Sequence, residues 1–315
     1  MKAYYSIAYG GSESSVHGDL PDPEAGDGQL LIEVKAVSIN PVDWKIKQGA
    51  ARLVTGFRFP RIFGTDFAGI VRETGEGVTA FKPGDRVYGS RSTVFNRHGA
   101  LAQLRAVDQD HVRPVPGKMS LEEAASLPVA ALTALNGLRK CGVGAGTSVL
   151  INGGTGGVGH FAVQIARARG AVVTATCSET NSDLARIFGA DEAKGYSREE
   201  LAGCTTKFDA IMDAYGKMDL SLVRHLLKRG GTYASTLFIP PPYLSIFLTR
   251  LIHSKRLTSA NMRWRPEDWQ EMEELYTAGK LKPFIENIFS LGHAPDAFDL
   301  AVKGRPRGKI IVTVS

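Results

Sequence analysis

Apolar and polar positions divide the chain into three textures. Positions 30–37 (LLIEVKAV) follow the period-2 pattern of a half-buried strand, and 70–74 and 86–88 are further short strands. Turn signals separate them, Gly75-Glu76-Gly77 and Lys82-Pro83-Gly84-Asp85. Closely spaced strands of this kind predict a compact β barrel or sandwich. At Met119 the texture changes. Ser120 and Glu123 form a capping box that opens an Ala-rich helix running to Lys140. Strands at 148–152, 171–177, 208–213 and 231–235 then alternate with helices at 160–169, 182–188 and 220–228, which predicts parallel βαβ units. From about 263 an amphipathic helix (266–278), a segment at 284–289, a helix (294–302) and a last strand (309–314) follow. A single terminal strand needs partners from elsewhere, so it is expected to rejoin the N-terminal β domain. The expected organisation is 1–119, 120–262 and a return at 263–315: an α/β protein whose parallel-sheet unit is inserted into a β-rich one.

Composition narrows this little. The 315 residues are 43% hydrophobic and 22% charged, which suits a folded chain with two domains. The net charge of +6 comes from scattered Lys and Arg, enriched locally at 250–265 and 303–309. Nucleic-acid binding through 250–265 is therefore kept only as an alternative. Cys141, Cys177 and Cys204 form no CxxC pair and no metal-ligand spacing, which implies a reducing, cytoplasmic location with neither disulfides nor zinc. The start of the chain lacks the pattern of a signal peptide. Positions 232–249 are uncharged and approach the length of a membrane span, but Pro240-Pro241-Pro242 cannot continue a helix. A buried or cofactor-facing loop is the expectation there.

The chemistry lies where the apolar strand Val149-Leu150-Ile151-Asn152 runs into Gly153-Gly154-Thr155-Gly156-Gly157-Val158-Gly159 and a helix. Gly154, Gly156 and Gly159 fit G-x-G-x-x-G in the strand–turn–helix setting that a dinucleotide site requires. Such a turn lets the backbone approach a pyrophosphate, and the helix N-terminus offers free N–H groups. The alternative is a Gly-rich turn with no ligand. At the end of the next strand NAD sites place a carboxylate for the ribose hydroxyls, whereas here Cys177-Ser178 precede Glu179. A serine can donate to a 2′-phosphate that a carboxylate would repel, so NADPH is the expected cofactor. Asn181 stands where an Arg or Lys would strengthen the case.

The chain resembles the zinc-free quinone oxidoreductase and enone reductase branch of the medium-chain dehydrogenase/reductase superfamily. The resemblance runs through Ser38-Ile39-Asn40-Pro41-Val42-Asp43-Trp44-Lys45, Gly64-Thr65-Asp66-Phe67-Ala68-Gly69, Gly84-Asp85-Arg86-Val87-Tyr88-Gly89, Leu132-Thr133-Ala134, Phe188-Gly189-Ala190-Asp191, Gly279-Lys280-Leu281-Lys282-Pro283 and Gly308-Lys309. It implies a GroES-like domain completed by the C-terminal segment, a Rossmann-type doubly wound parallel sheet between, an active cleft at their junction, and a homodimer. Zinc enzymes of the superfamily have Cys where Asn40 stands and His-Glu where Thr65-Asp66 stand, so a metal-free mechanism is expected.

By the same resemblance Asn40, Asp43 and Thr133 surround the nicotinamide and the substrate; Asn40 and Thr133 can hydrogen-bond a substrate oxygen or order water, and Asp43 is an orienting group rather than a proton donor. As residue types they are equally turn and cap residues. Lys45 is a candidate to stabilise an enolate. Thr155, Gly156, Gly157, Val158 and Gly159 would hold the pyrophosphate, Ser178 and Tyr196 the 2′-phosphate (the alternative for Tyr196 being a packing residue), and Leu237 and Phe238 the nicotinamide side. Arg305 or Lys309 would reach the cofactor, the alternative being a solvated turn. Phe57, Phe59, Phe95, Tyr243 and Phe247 are pocket or core aromatics. The expected partner is a small quinone or enone. An acyl-thioester reductase of the same branch and a non-catalytic NADPH- or RNA-binding protein are the competing readings.

Overall fold

The computed structural model describes residues 1–50, 52–94, 96–237, 256–304 and 306–315. The chain forms two compact units, Met1–Val129 with Ile285–Ser315, and Ala130–Phe284. The expected sites Phe95, Phe238, Tyr243, Phe247 and Arg305 lie outside the described residues, as do most of 232–249 and the first part of 250–265.

In the N-terminal segment, β1 (Lys2–Ser6), β2 (Ser15–Asp19) and β4 (Arg61–Ile62) form a three-stranded sheet. β3 (Gln29–Ile39) is the spine of a larger one, pairing along one edge with β5 (Asp66–Thr74), which continues to β6 (Arg86–Ser90) and β8 (Val112–Pro114). Along its other edge β3 first pairs with β7 (Leu104–Asp108). Register shifts against β5 fall between Leu31 and Ile32 and between Val34 and Ala36. Such bulges bend a strand and break strict alternation, and Leu30, Leu31 and Ile32 are accordingly all buried. Two short helices follow the spine, α1 (Pro41–Lys47) and α2 (Arg52–Thr55). The helix expected from Ser120 to Lys140 is two helices, α3 (Leu121–Ser126) and α4 (Pro128–Lys140). Pro128 has no N–H to donate back into the preceding turn.

The second unit is a wholly parallel six-stranded sheet built from β9 (Ser148–Asn152), β10 (Val172–Thr176), β11 (Glu192–Lys194), β12 (Phe208–Asp213), β13 (Leu227–Ser235) and β14 (Arg256–Ser259). Numbered within the unit, the order β11-β10-β9-β12-β13-β14 is 3-2-1-4-5-6, the doubly wound order of dinucleotide-binding domains. Its helices are α5 (Gly159–Ala168), α6 (Ser182–Ile187), α7 (Arg198–Ala202), α8 (Leu220–Leu226) and α9 (Pro266–Thr277). The strand order reverses between β9 and β12, where such folds bind ligands beyond the strand ends. The sequence expectation assigned 266–278 to the returning segment, but α9 stays with the second unit. Arg139 bonds Asp268 and Glu271, and Arg169 bonds Glu271 at 2.5 Å, tying α9 to α4 and to the end of α5.

β15 (Ile285–Ser290), α10 (Ala294–Lys303) and β16 (Lys309–Thr313) return the chain to the first unit. β16 pairs antiparallel with the second half of β3, from Ile39 to Ala36, and β15 adds parallel to β16. The last strand thus completes the GroES-like sheet, as its isolation in the sequence predicts.

Candidate active site

The Gly-rich turn begins where β9 ends. Gly153 takes a positive φ of 77°, which glycine adopts without strain. A Cβ on Gly159 would lie 1.9 Å from the Gly153 carbonyl oxygen, and one on Gly154 would lie 2.6 Å from the Ala175 Cβ. These two glycines let the first turn of α5 and the strand β10 close on the turn. Gly156 differs: its Cβ would meet nothing nearer than the Gly153 oxygen at 3.5 Å. Packing does not require glycine at 156, where the space outside the backbone is open. The amides of Gly154 and Gly156 are spent on Thr176 and Gly153 carbonyls, whereas those of Thr155, Gly157 and Val158 have no backbone acceptor among the described residues. Three free donors at a helix N-terminus suit a diphosphate.

Side chains fix this turn from below. Thr176 Oγ1 accepts from the Gly153 amide at 3.0 Å and donates to Asn152 Oδ1 at 2.7 Å. Asn152 Nδ2 donates to the fully buried Asp213, which also accepts from the Gly216 and Met218 amides and from the Tyr233 hydroxyl. The network joins the ends of four neighbouring strands at the point of strand-order reversal. His160, also fully buried, accepts from the Phe284 amide at Nε2 (3.3 Å), so the proton sits on Nδ1 and is donated to the Gly156 carbonyl at 3.0 Å. Neither Asp213 nor His160 was singled out from sequence. For His160 the signal was available, a polar residue on the otherwise apolar first turn of α5.

The second cluster lies in the first unit. Asn40 caps α1, and Asp43 at N3 returns a carboxylate oxygen to the Asn40 amide N–H at 2.8 Å. Asp43 also accepts from the Thr65 hydroxyl at 2.8 Å. Asn40 Nδ2 donates to the Ser38 carbonyl at 3.2 Å and to Asp66 Oδ2 at 2.9 Å, and Lys309 Nζ donates to Asn40 Oδ1 at 2.7 Å. The flanking charges fix which way the amide faces: oxygen toward the ammonium, NH2 toward the carboxylate. Both N–H donors of Asn40 are therefore spent inside the protein, and none remains to donate to a substrate oxygen. Lys309 has a single acceptor among the described residues, and its other N–H bonds are free.

All these groups are buried. Lys309 is 3% exposed, so it is not part of a solvated turn. Burial pushes the Asp43 carboxyl up, opposed by bonds from Thr65 and Asn40 and by the charge of Lys309. Asp66 is pushed by burial up to about 6, with Lys309 the main opposing influence. Burial pushes the Lys309 ammonium down from the ordinary lysine range against the pull of Asp66 and Asp43. Arg105, buried over the Phe67 ring and donating to the Gly64, Thr65 and Arg91 carbonyls, is lowered by burial to about 10. Asp66 and Arg105 were not among the expected site residues. Their strands pair through long-range registers that no local pattern shows.

The remaining expected residues lie on other elements. Thr133 is buried on α4 in the second unit. Ser178 follows β10 and sits 3.1 Å from Thr180 Oγ1, while Tyr196 is 48% exposed after β11. Leu237 is exposed and anchored by its amide to Ser235 Oγ. Lys45 is exposed beside the Trp44 ring, Phe57 is exposed, and Phe59 packs edge-on against Tyr9.

A 3-2-1-4-5-6 parallel sheet with a Gly-rich turn at its switch point, inserted along the chain between the two segments of a GroES-like unit, defines a nicotinamide-dependent dehydrogenase or reductase of the medium-chain type. Residues 26–117 match the alcohol dehydrogenase GroES-like domain and residues 188–312 match the zinc-binding dehydrogenase family. The quinone-oxidoreductase QR1 of Triphysaria versicolor is 33% identical over 99% of this chain and 98% of its own length. The 2-methylene-furan-3-one reductase of Solanum lycopersicum is 31% identical over 99% of this chain and 79% of its own. The quinone oxidoreductase of Coxiella burnetii superposes with a TM-score of 0.88 at 32% identity, covering 100% of this chain and 99% of that one. The chain belongs to the quinone oxidoreductase and enone reductase branch of the medium-chain dehydrogenase/reductase superfamily. Similar proteins include chloroplastic and mitochondrial ones, and a cytoplasmic location has no support from them. Among the described residues no helix is long and apolar enough to cross a membrane.

Proposed function

We propose that the chain reduces quinones or α,β-unsaturated ketones with NADPH and without a metal ion. The observation that carries this reading is the buried Lys309 ammonium, oriented by Asn40 and holding N–H bonds to spare. NADPH supplies the hydride, from nicotinamide C4. Negative charge then develops on the acceptor's carbonyl oxygen, and a preorganised donor away from water stabilises it most. Lys309 is that donor. Asn40 holds it in place, and Asp43 and Thr65 hold the first turn of α1 that presents Asn40. The free amides of Thr155, Gly157 and Val158 take the diphosphate, and Thr133 contacts the bound ligands from α4.

The preference for NADPH rests on Ser178 at the end of β10, where a hydroxyl replaces the carboxylate of NAD sites, with Tyr196 assisting. Independence from zinc rests on side-chain chemistry: an amide and a hydroxyl, Asn40 and Thr65, occupy positions where a catalytic zinc needs thiolate, imidazole or carboxylate, and both are engaged elsewhere. The test is an NADPH oxidation assay across a panel of quinones and enones, run with and without chelator beside the same panel with NADH. The reading requires turnover with at least one acceptor class, faster with NADPH and unchanged by chelator. Silence across the panel refutes the substrate class.

A further inference from the structure

The C-terminal end of α1 carries a second group that the proposed chemistry does not use. Lys47 is only 3% exposed and lines a cavity of about 200 Å³ in the first unit. Trp44, Phe298 and Val302 provide its apolar walls, and Glu13, Asp299 and Lys303 are the charged groups that line it beside Lys47. Lys47 Nζ donates to the Gly11 carbonyl and to the Gly10 carbonyl at 3.2 Å, and it lies 5.9 Å from the centre of the Phe298 ring. No carboxylate pairs with it directly among the described residues. Asp299 is paired with Lys303 at 2.7 Å, and Glu13 is bonded to the Gly11 amide at 2.8 Å.

Two carbonyl acceptors are what a neutral amine can satisfy. Loss of the third proton leaves both N–H bonds made and frees a lone pair. The cavity is smaller than pockets for drug-sized ligands, which fits a molecule of one ring. We propose that this cavity is a modification site in which Lys47 forms an imine with a small aromatic aldehyde. The amine nitrogen bonds to the carbonyl carbon, and a proton passes from nitrogen to oxygen to give a carbinolamine. The C–O bond then breaks, the hydroxyl leaves as water with the remaining proton of the nitrogen, and C=N remains, with no net oxidation or reduction. Trp44 and Phe298 receive the ring.

Burial pushes the Lys47 ammonium down to about 8, with Glu13 and then Asp299 opposing the fall. Near pH 7.5 such a group holds on the order of 100-fold more neutral amine than a lysine at about 10.4. The test treats the full-length protein with benzaldehyde and cyanoborohydride, which traps the imine as a benzylated amine, and maps the lysines by mass spectrometry. Lys47 should label on the order of tenfold faster than any other lysine, with a pH midpoint near 8. Val302→Trp, at a partly exposed position, should slow labelling by filling the cavity while keeping the amine, and Lys47→Arg should abolish the fast site. Labelling spread evenly over exposed lysines would overturn the proposal. So would a Lys47 midpoint near 10, or a Val302→Trp rate equal to wild type.

Discussion

The two halves of the candidate machinery are made in opposite ways. In the second unit the Gly-rich turn presents backbone amides, and its side chains (Thr176, Asn152, Asp213) work underneath to hold the turn. In the first unit the polar groups are side chains, and Asn40, Asp43, Asp66, Arg105 and Lys309 are packed into a nearly dry cluster. An amide donor needs no charge and little burial energy. A buried ammonium is costly and persists only because neighbouring groups of opposite sign and a fixed amide oxygen compensate it. Under the proposed reading, the second unit binds the cofactor and the first stabilises charge.

The largest effect that could break this contrast is expected at Lys309. Lys309→Met should lower kcat for enone or quinone reduction by on the order of 10²-fold, the loss seen when one preorganised oxyanion donor is removed. The dissociation constant for NADPH, measured by calorimetry, should change little. A loss carried by cofactor affinity instead would move Lys309 to the binding half of the site. Next come the glycines. Gly159→Ala should cost both thermal stability and cofactor affinity, since its Cβ would stand 1.9 Å from a backbone oxygen. Gly156→Ala should keep the melting temperature and still weaken NADPH by about 1–3 kcal/mol, the cost of unsatisfied polar groups. Equal behaviour of the two variants would contradict the division between packing and ligand approach.

Ser178→Asp sharpens the cofactor side and should shift the NADPH-to-NADH ratio of kcat/KM by about tenfold toward NADH, roughly 1.4 kcal/mol. The last effect is on stability, through pH dependence. Asp66 in the folded chain titrates near 6, above the ordinary 3.8, so the folded state keeps its proton longer than the unfolded state as pH rises. Its contribution is present below the unfolded value and is lost as pH climbs from about 4 to about 6. Chemical denaturation across that window should show wild-type stability falling relative to Asp66→Asn, in which this slope is missing.

The same contrast decides what was legible in the sequence. The turn is local: one strand, seven residues and one helix spell it, and the strand-and-helix alternation around it foretells the parallel sheet. The lone strand at 309–314 likewise foretells its pairing with the N-terminal domain. The charge cluster is not local. Asn40, Asp66, Arg105 and Lys309 come from four distant segments and meet because β5, β7 and β16 all pair with β3. Resemblance picked out Asn40 and Asp43, but only the registers reveal that Asn40 has spent its donors and that Lys309 has not. Helix α1 was missed, although Asn40 followed three residues later by Asp43 is a capping pattern. The bounds of α9 were legible, but its place in the second unit was not, because Arg139 and Arg169, more than a hundred residues upstream, hold it there.

Hydride delivery itself is tested most directly by isotope transfer. NADPH carrying deuterium at the transferred C4 position is incubated with the protein and an α,β-unsaturated ketone, and the product is analysed by mass spectrometry and NMR. Deuterium at the β-carbon of the saturated ketone is the expected result. A product without label there, or no reduction of any quinone or enone while NADPH binds, would contradict the account.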